Sequence, residues 1–422
     1  MSTAIMLFLF TYILIILGVI HRTLVAFAGA VAMLMIGAIS PQEALKAMDF
    51  DTIGLLMGMM IIVGITKKTG LFEYLAIKVA QMAKGEPTKI LSGLCLITAF
   101  FSAFLDNVTT VMLVIPVTFV ITKQLNISPI PFLIAMIISS NIGGTATLVG
   151  DPPNIMISGF TGLGFMDFVT NLAPVVIIIY IVTILILKSK FQQQLVTFPM
   201  LKDRIISLKA SDQLKDRVLL SKCLLVISLT VLGFIFHQQI KLEPAFIAIV
   251  LACFLIIITK SNIIKSLMYV EWSVIIFFIS LFVMVGALDE IGVFERLART
   301  SLDVTGGNIL SAALIILWLS AIASAFVDNI PFVAAMIPLI KEFGQLGGID
   351  DLTFFWWALS LGSCLGGNGT AIGASANVVV IGIAEKRGVN LSFIDYMKTG
   401  FPIMLLSIVI STGYLLLWYY LN

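Results

Sequence analysis

The stretch Ser102-Ala103-Phe104-Leu105-Asp106-Asn107 returns 222 residues later as Ser324-Ala325-Phe326-Val327-Asp328-Asn329. The match extends well beyond six residues. At the same offset Gly64 meets Gly286, Gly70, Phe72 and Glu73 meet Gly292, Phe294 and Glu295, and Pro116 meets Pro338. After a slip of one residue, Gly143-Gly144 meets Gly366-Gly367, Thr147 meets Thr370, Gly150 meets Gly373 and Asn154 meets Asn377. Chance does not hold such matches in register from residue 64 to residue 154. The chain is an internal duplication, and its halves are two copies of one plan.

What the plan builds follows from composition. Apolar residues fill 60% of 422 positions and charged residues 11%, where a soluble domain carries about 25% charged. Such a chain must face lipid or other membrane helices over most of its surface. At about 20 residues per span there is room for about ten spans. Apolar segments of spanning length run 3–20, 24–39, 52–66, 131–157, 165–187, 218–236, 244–259, 272–288, 353–383 and 400–421. The four Cys (Cys95, Cys223, Cys253, Cys364) lie in apolar runs without metal or disulfide spacing. His21 and His237 sit at the ends of apolar runs, a poor basis for a histidine proton relay.

Two stretches, 89–122 and 308–340, are too long for one span and short for two. Each carries Asp-Asn near its centre, which predicts a re-entrant helical hairpin with the polar pair at its tip. Each half then reads as three spans, a hairpin, a Gly-broken span and a final span. That gives an odd number of crossings, so the second half is inverted relative to the first. The expected fold is an all-α polytopic membrane protein with repeats at 1–187 and 218–422, joined by a polar cytoplasmic linker at 188–217. With the linker inside, 20 of the 25 Lys and Arg fall on the cytoplasmic side, all but Lys46, Lys241, Arg296, Arg299 and Lys341. That bias predicts both termini outside, in a multi-pass protein of the cell (inner or plasma) membrane. Only Met1-Ser2 precedes the first span, so no cleavable signal peptide is expected.

On this topology no Lys or Arg lies in the membrane interior, whereas Asp106, Asp151 and Asp328 do. A carboxylate at a membrane helix centre costs about 2.5–3.5 kcal/mol even on lenient scales. Each must be protonated, hydrated in a cavity or paired with a bound cation; capping the second hairpin helix is the bland alternative. Thr109 and Thr110 follow the first tip, and Asn107 and Asn329 complete the tips. The Gly-broken spans hold Asn141, Gly143, Gly144, Thr145, Thr147, Asp151, Pro152-Pro153 and Asn154 in one half, and Gly366, Gly367, Asn368, Thr370 and Asn377 in the other. Neither run can be one continuous helix. Unwound carbonyls with Thr, Asn and Asp oxygens suit a hard cation, with sodium expected at Asp106, Asn107 and Asp151. Small residues also favour close helix crossing, a packing role with no ligand at all. Asp151 is matched by Ala374, Pro152 by Ser375, Thr109 by Pro331 and Asn141 by Cys364, so the dominant ion site is expected in the first half. A lone Cys364 in an apolar span reads as a small hydrophobe.

At Leu105-Asp106-Asn107-Val108-Thr109-Thr110 and at Asn141 through Asn154 the chain resembles the ion-transporter superfamily, in its arsenite permease, sodium–proton antiporter and P-protein-like branch. The divalent-anion/sodium symporters are related to that branch. The resemblance implies a scaffold of outer helices around a transport domain of hairpins and broken helices, working by alternating access. The dicarboxylate branch shows Ser-Asn-Thr at its tips. Asp106-Asn107-Val108 and Asp328-Asn329-Ile330 stand there instead and point away from dicarboxylates.

The function expected is secondary active transport of a small inorganic ion, arsenite or another anion, coupled to H+ or Na+. A Na+/H+ antiporter is the near alternative; a dicarboxylate/Na+ symporter and a passive channel stand further off. No cofactor is expected beyond the coupling ion. An enzyme is not expected: there is no H-E-x-x-H, no G-x-S-x-G, and Leu148-Val149-Gly150-Asp151 lacks the first Gly of an intramembrane aspartyl protease. No phosphate-binding loop is present, so an ATP-driven pump would need a separate ATPase subunit, as the resemblance allows. The partners expected are the ion, the lipid bilayer and a second copy in a homodimer, with no nucleic acid.

Overall fold

Apolar segments long enough to span form helices because lipid leaves no other partner for the backbone. The computed structural model describes residues 2–18 and 20–421; Met1, Val19 and Asn422, which the expected repeats include, lie outside the described residues. It is all-helical among them. The first half runs α1 (Ser2–Leu17), α2 (Arg22–Met35), α3 (Pro41–Ala47), α4 (Phe50–Lys67), α5 (Leu71–Met82), α6 (Pro87–Ser102), α7 (Asn107–Leu125), α8 (Ile130–Thr145), α9 (Pro152–Thr161) and α10 (Phe165–Phe191). The linker holds α11 (Pro199–Ile206) and a short 3-10 turn. The second half runs α12 (Arg217–Ile240), α13 (Pro244–Thr259), α14 (Ile263–Leu267), α15 (Trp272–Glu290), α16 (Val293–Thr305), α17 (Ile309–Phe326), α18 (Asn329–Gly347), α19 (Thr353–Gly366), α20 (Ser375–Lys386) and α21 (Phe393–Leu421).

Among the described residues, α4, α7, α10, α12, α15, α17 and α21 are long and apolar enough to cross a membrane, with shorter apolar helices at α1, α2, α6, α8 and α13. The outer helices keep large apolar side chains exposed, such as Ile177, Ile178, Ile181 and Leu185 on α10 and Leu225, Leu232 and Phe236 on α12. In a bilayer these face lipid at no cost. At the centre stand α8 and α19, where every residue of 131–145 and of 354–366 is buried.

Packing recurs in pairs, as the duplication requires. α4 packs on α13 as α15 packs on α2; α6 on α8 as α17 on α19; α5 on α7 as α16 on α18; α9 on α18 as α20 on α7. The hydrogen bonds recur as well. Ser102 Oγ donates to the Ser140 carbonyl at 2.7 Å and Ser324 Oγ to that of Ser363 at 2.6 Å. Thr147 Oγ1 donates to the Ala103 carbonyl, and Thr370 Oγ1 to that of Ala325. In both halves a hairpin is thus tied to its own broken helix.

The Gly-broken spans expected at 131–157 and 353–383 are each two helices separated by a break, α8 with α9 and α19 with α20. Two features differ from the sequence reading. Amphipathic helices α5 and α16, in stretches assigned to no span, lead into the hairpins. The polar linker is docked: Leu195, Ile205 and Ala210 are buried, Lys202 Nζ meets Glu86 Oε2 at 2.8 Å, and Thr197 Oγ1 donates to the Leu125 carbonyl at 2.7 Å. Its scattered apolar residues find the exposed ends of α5 and α7.

Candidate functional site

Each hairpin turns in a few residues, and an aspartate caps the helix beyond the turn. Asp106 Oδ1 accepts from the Thr109 amide at 2.8 Å, and Asp328 Oδ1 from the Ile330 amide at 3.2 Å. Capping satisfies amides that begin α7 and α18. It engages one carboxylate oxygen in each case and leaves the other free for different work. The breaks between α8 and α9 and between α19 and α20 lie against these tips.

Asparagines join the two halves at the breaks. Asn107 Nδ2 donates to Asn141 Oδ1 at 3.2 Å, and Asn141 Nδ2 donates to Asn368 Oδ1 at 3.0 Å and Asn377 Oδ1 at 3.1 Å. Asn154 Nδ2 holds the unwound carbonyls of Thr145 and Thr147, as Asn377 Nδ2 holds those of Gly367 and Thr370. Asn154 Oδ1 accepts from Ser360 Oγ at 2.6 Å, with the Cys364 thiol 3.6 Å away. Cys364 therefore lies against the first-half break rather than in plain apolar packing.

Asp151 stands between the tips, fully buried. Its Oδ1 accepts from Asn329 Nδ2 at 3.2 Å, while its Oδ2 has no N–H or O–H partner among the described residues. Thr110 Oγ1 and Asn368 Nδ2 are likewise buried without a partner among them. A cavity of about 70 Å³ runs between the tips, lined by Arg22, Asp106, Asp151, Glu271, Asn329 and Ser375 among others. That volume holds a small ion with a few waters. Three carboxylates line it against one guanidinium.

The guanidinium overturns the expectation that no basic group reaches the interior carboxylates. Arg22 begins α2, and its Nη1 lies 2.5 Å from Asp328 Oδ2 and 2.7 Å from Ser375 Oγ. Asp328 is paired; among the described residues Asp106 and Asp151 have no such cation. Glu271, just before α15, and Ser375, at the start of α20, also join the cavity and were not singled out by sequence reasoning. Arg22 and Glu271 flank apolar runs and so read as solvated loop residues. The clue for Ser375 was its place opposite Pro152 in the repeat.

The remaining candidates separate by what they touch. Asn107 lines the cavity, and Thr109 contributes its amide to the Asp106 cap. Thr145, Thr147 and Thr370 spend their hydroxyls on backbone carbonyls. A Cβ on Gly143 would strike the Ala99 backbone, and one on Gly366 that of Ala321. These glycines let α8 approach α6 and α19 approach α17, which is the packing role. Gly144 and Gly367 likewise lie against the backbone of Gly150 and Gly373.

Residues 12–362 match the profile of the family described as citrate transporter. An uncharacterized transporter of Mycobacterium tuberculosis is 42% identical over 99% of this chain and 98% of its own. The 46 kDa membrane protein of Mycobacterium leprae is 40% identical over the same shares. The P protein of Mus musculus is 35% identical over 96% of this chain, which spans 59% of that protein. Among solved structures, the YdaH transporter of Alcanivorax borkumensis superposes with a TM-score of 0.61 over 90% of this chain and 87% of its own, at 13% identity.

Proposed function

Because this chain belongs to the citrate transporter family of membrane transporters, we propose that it is a secondary transporter in which the cavity between the hairpin tips binds a coupling cation, H+ or Na+. The observation that carries the reading is the Asp151 carboxylate, fully buried with one oxygen unpartnered, in a cavity it shares with Asp106. A carboxylate so placed is stable when a proton or a small cation neutralises it. The transported species is a small inorganic ion, moved by alternating access between two inverted repeats. The family's description names citrate, but the guanidinium in this cavity is already committed to Asp328. A tricarboxylate would find carboxylates there and no free cationic partner.

A second reading, Na+/H+ exchange, draws support from the same excess of carboxylates over cations, since a site that holds Na+ and H+ in turn needs no other cargo. One experiment separates the two. In everted vesicles, proton movement is followed on adding Na+, Li+, arsenite or a dicarboxylate. A response to Na+ or Li+ alone supports exchange, and a response to arsenite that requires a cation gradient supports ion-coupled uptake or export. No gradient-dependent response to any of them would contradict secondary transport.

A further inference from the structure

The two carboxylates at the hairpin tips occupy repeat-equivalent positions and each caps the helix that follows, yet among the described residues only Asp328 is ion-paired with a basic side chain. Asp328 Oδ2 receives Arg22 Nη1 at 2.5 Å and Ser375 Oγ at 2.8 Å, and Arg22 Nη1 also reaches Ser375 Oγ at 2.7 Å. The three atoms close a small ring, and the Arg22 guanidinium carbon lies 5.1 Å from the centre of the Phe277 ring. Arg22 is the first residue of α2. The helix equivalent to α2 in the second half is α13, which starts with Pro244 in that place. Pro152, equivalent to Ser375, has no hydroxyl to offer. So the first-half tip lacks both groups that fill the second-half tip.

We propose that Arg22 is a tethered cation occupying the second-half ion site, so that this protein takes up one coupling cation per cycle, at Asp106 and Asp151, where two complete repeat-related sites would take two. The proposal rests on the reading of the cavity as a cation site. A guanidinium is charged at every physiological pH. It therefore satisfies the Asp328 carboxylate by a direct ion pair, in the place a bound cation would take. The ion pair sits where a guanidinium has room: Arg22 is 31% exposed and Asp328 11%, beside a cavity of about 620 Å³ that His21, Arg22, Asp328 and Ser375 help to line. Removing the tether should therefore expose a carboxylate and a hydroxyl to solvent cations instead of collapsing the packing.

Cation linkage to stability reads the number of sites directly, because each cation bound by the folded state alone adds one unit of slope in log concentration. The full chain, purified in detergent, is unfolded thermally across Na+ concentration at fixed pH and ionic strength, and across pH at fixed Na+. Arg22→Gln should raise the summed uptake of Na+ and H+ by about one relative to wild type, and the double variant Arg22→Gln with Asp328→Asn should return it to the wild-type value. Arg22→Lys keeps a tethered charge and should leave the sum unchanged. Asp328→Asn alone, with Arg22 intact, should also leave it unchanged, a result that stands even where Arg22→Gln does not fold. Equal uptake in Arg22→Gln and wild type, or a loss of about one in Asp328→Asn alone, overturns the tethered-cation proposal and leaves the coupling reading intact. Wild-type stability that responds to neither Na+ nor pH overturns both.

Discussion

Asn141 bonds three other asparagines, taking the Asn107 amide and giving its own to Asn368 and Asn377. It is the residue through which the breaks of the two halves meet. Asn141→Leu leaves those partners buried and unsatisfied, at about 1–3 kcal/mol each. Thermal unfolding in detergent should fall by several degrees, whereas a solvated loop asparagine would cost nothing. Under the proposed coupling, Asp106 and Asp151 act through their charge as well as through the bonds they accept. Asp106→Asn keeps a capping oxygen and Asp151→Asn keeps an acceptor for Asn329, so both variants should reach the membrane folded and transport at background rates. These two aspartates were legible in the sequence because a charge inside an apolar run stands out. Arg22 and Glu271 were not, because they flank their runs, and the contact of Arg22 with Asp328 crosses 306 residues. Only the tertiary fold brings such a pair together.

At the scale of elements, the hairpins and broken helices were readable from length, Asp-Asn tips and Gly-Pro runs. α5 and α16 were not: each is amphipathic and rests on a neighbouring hairpin helix, so neither looks like a span. The docked linker escaped for a similar reason, since its few apolar residues are spaced too widely to announce a buried face. The role of the glycines was readable only as a choice between ligand and packing. The structure brings Gly143 onto the Ala99 backbone and Gly366 onto that of Ala321. Gly366→Val should therefore separate α19 from α17 and lower stability by about 1–3 kcal/mol, as overpacking does. The same loss is expected for Gly143→Val, measured as a shift in unfolding temperature. Unchanged stability in both would return these glycines to a ligand role.

For the whole molecule, the duplicated packing is not perfectly symmetric. A Cβ on Gly159 of α9 would strike the Asp49 carboxylate at the start of α4, whereas Gly382, its equivalent on α20, has nothing within 4 Å. Glu271 is the equivalent of Asp49, so one seam is closed and its counterpart open. Under alternating access the open seam must close in the opposite state. Gly382→Val should then leave the unfolding temperature within the range of a surface change, about 0.5 kcal/mol, yet reduce transport about tenfold by crowding the state in which α20 meets the start of α15. Normal transport in that variant would mean the two seams do not exchange. The Lys and Arg bias predicts that 188–217 faces the cytoplasm: in intact cells, a Cys introduced in that stretch should escape an impermeant thiol reagent applied outside, and labelling from outside would overturn that orientation.

The most direct test follows proton movement in everted vesicles across pH, for wild type and for Asp106→Asn and Asp151→Asn at matched amounts of folded protein. Wild type should move protons on addition of at least one of Na+, Li+ or arsenite, with a rate that depends on pH, and both variants should show neither the movement nor the dependence. Wild-type rates with an unchanged pH profile in both variants would contradict the assignment of coupling to these two carboxylates.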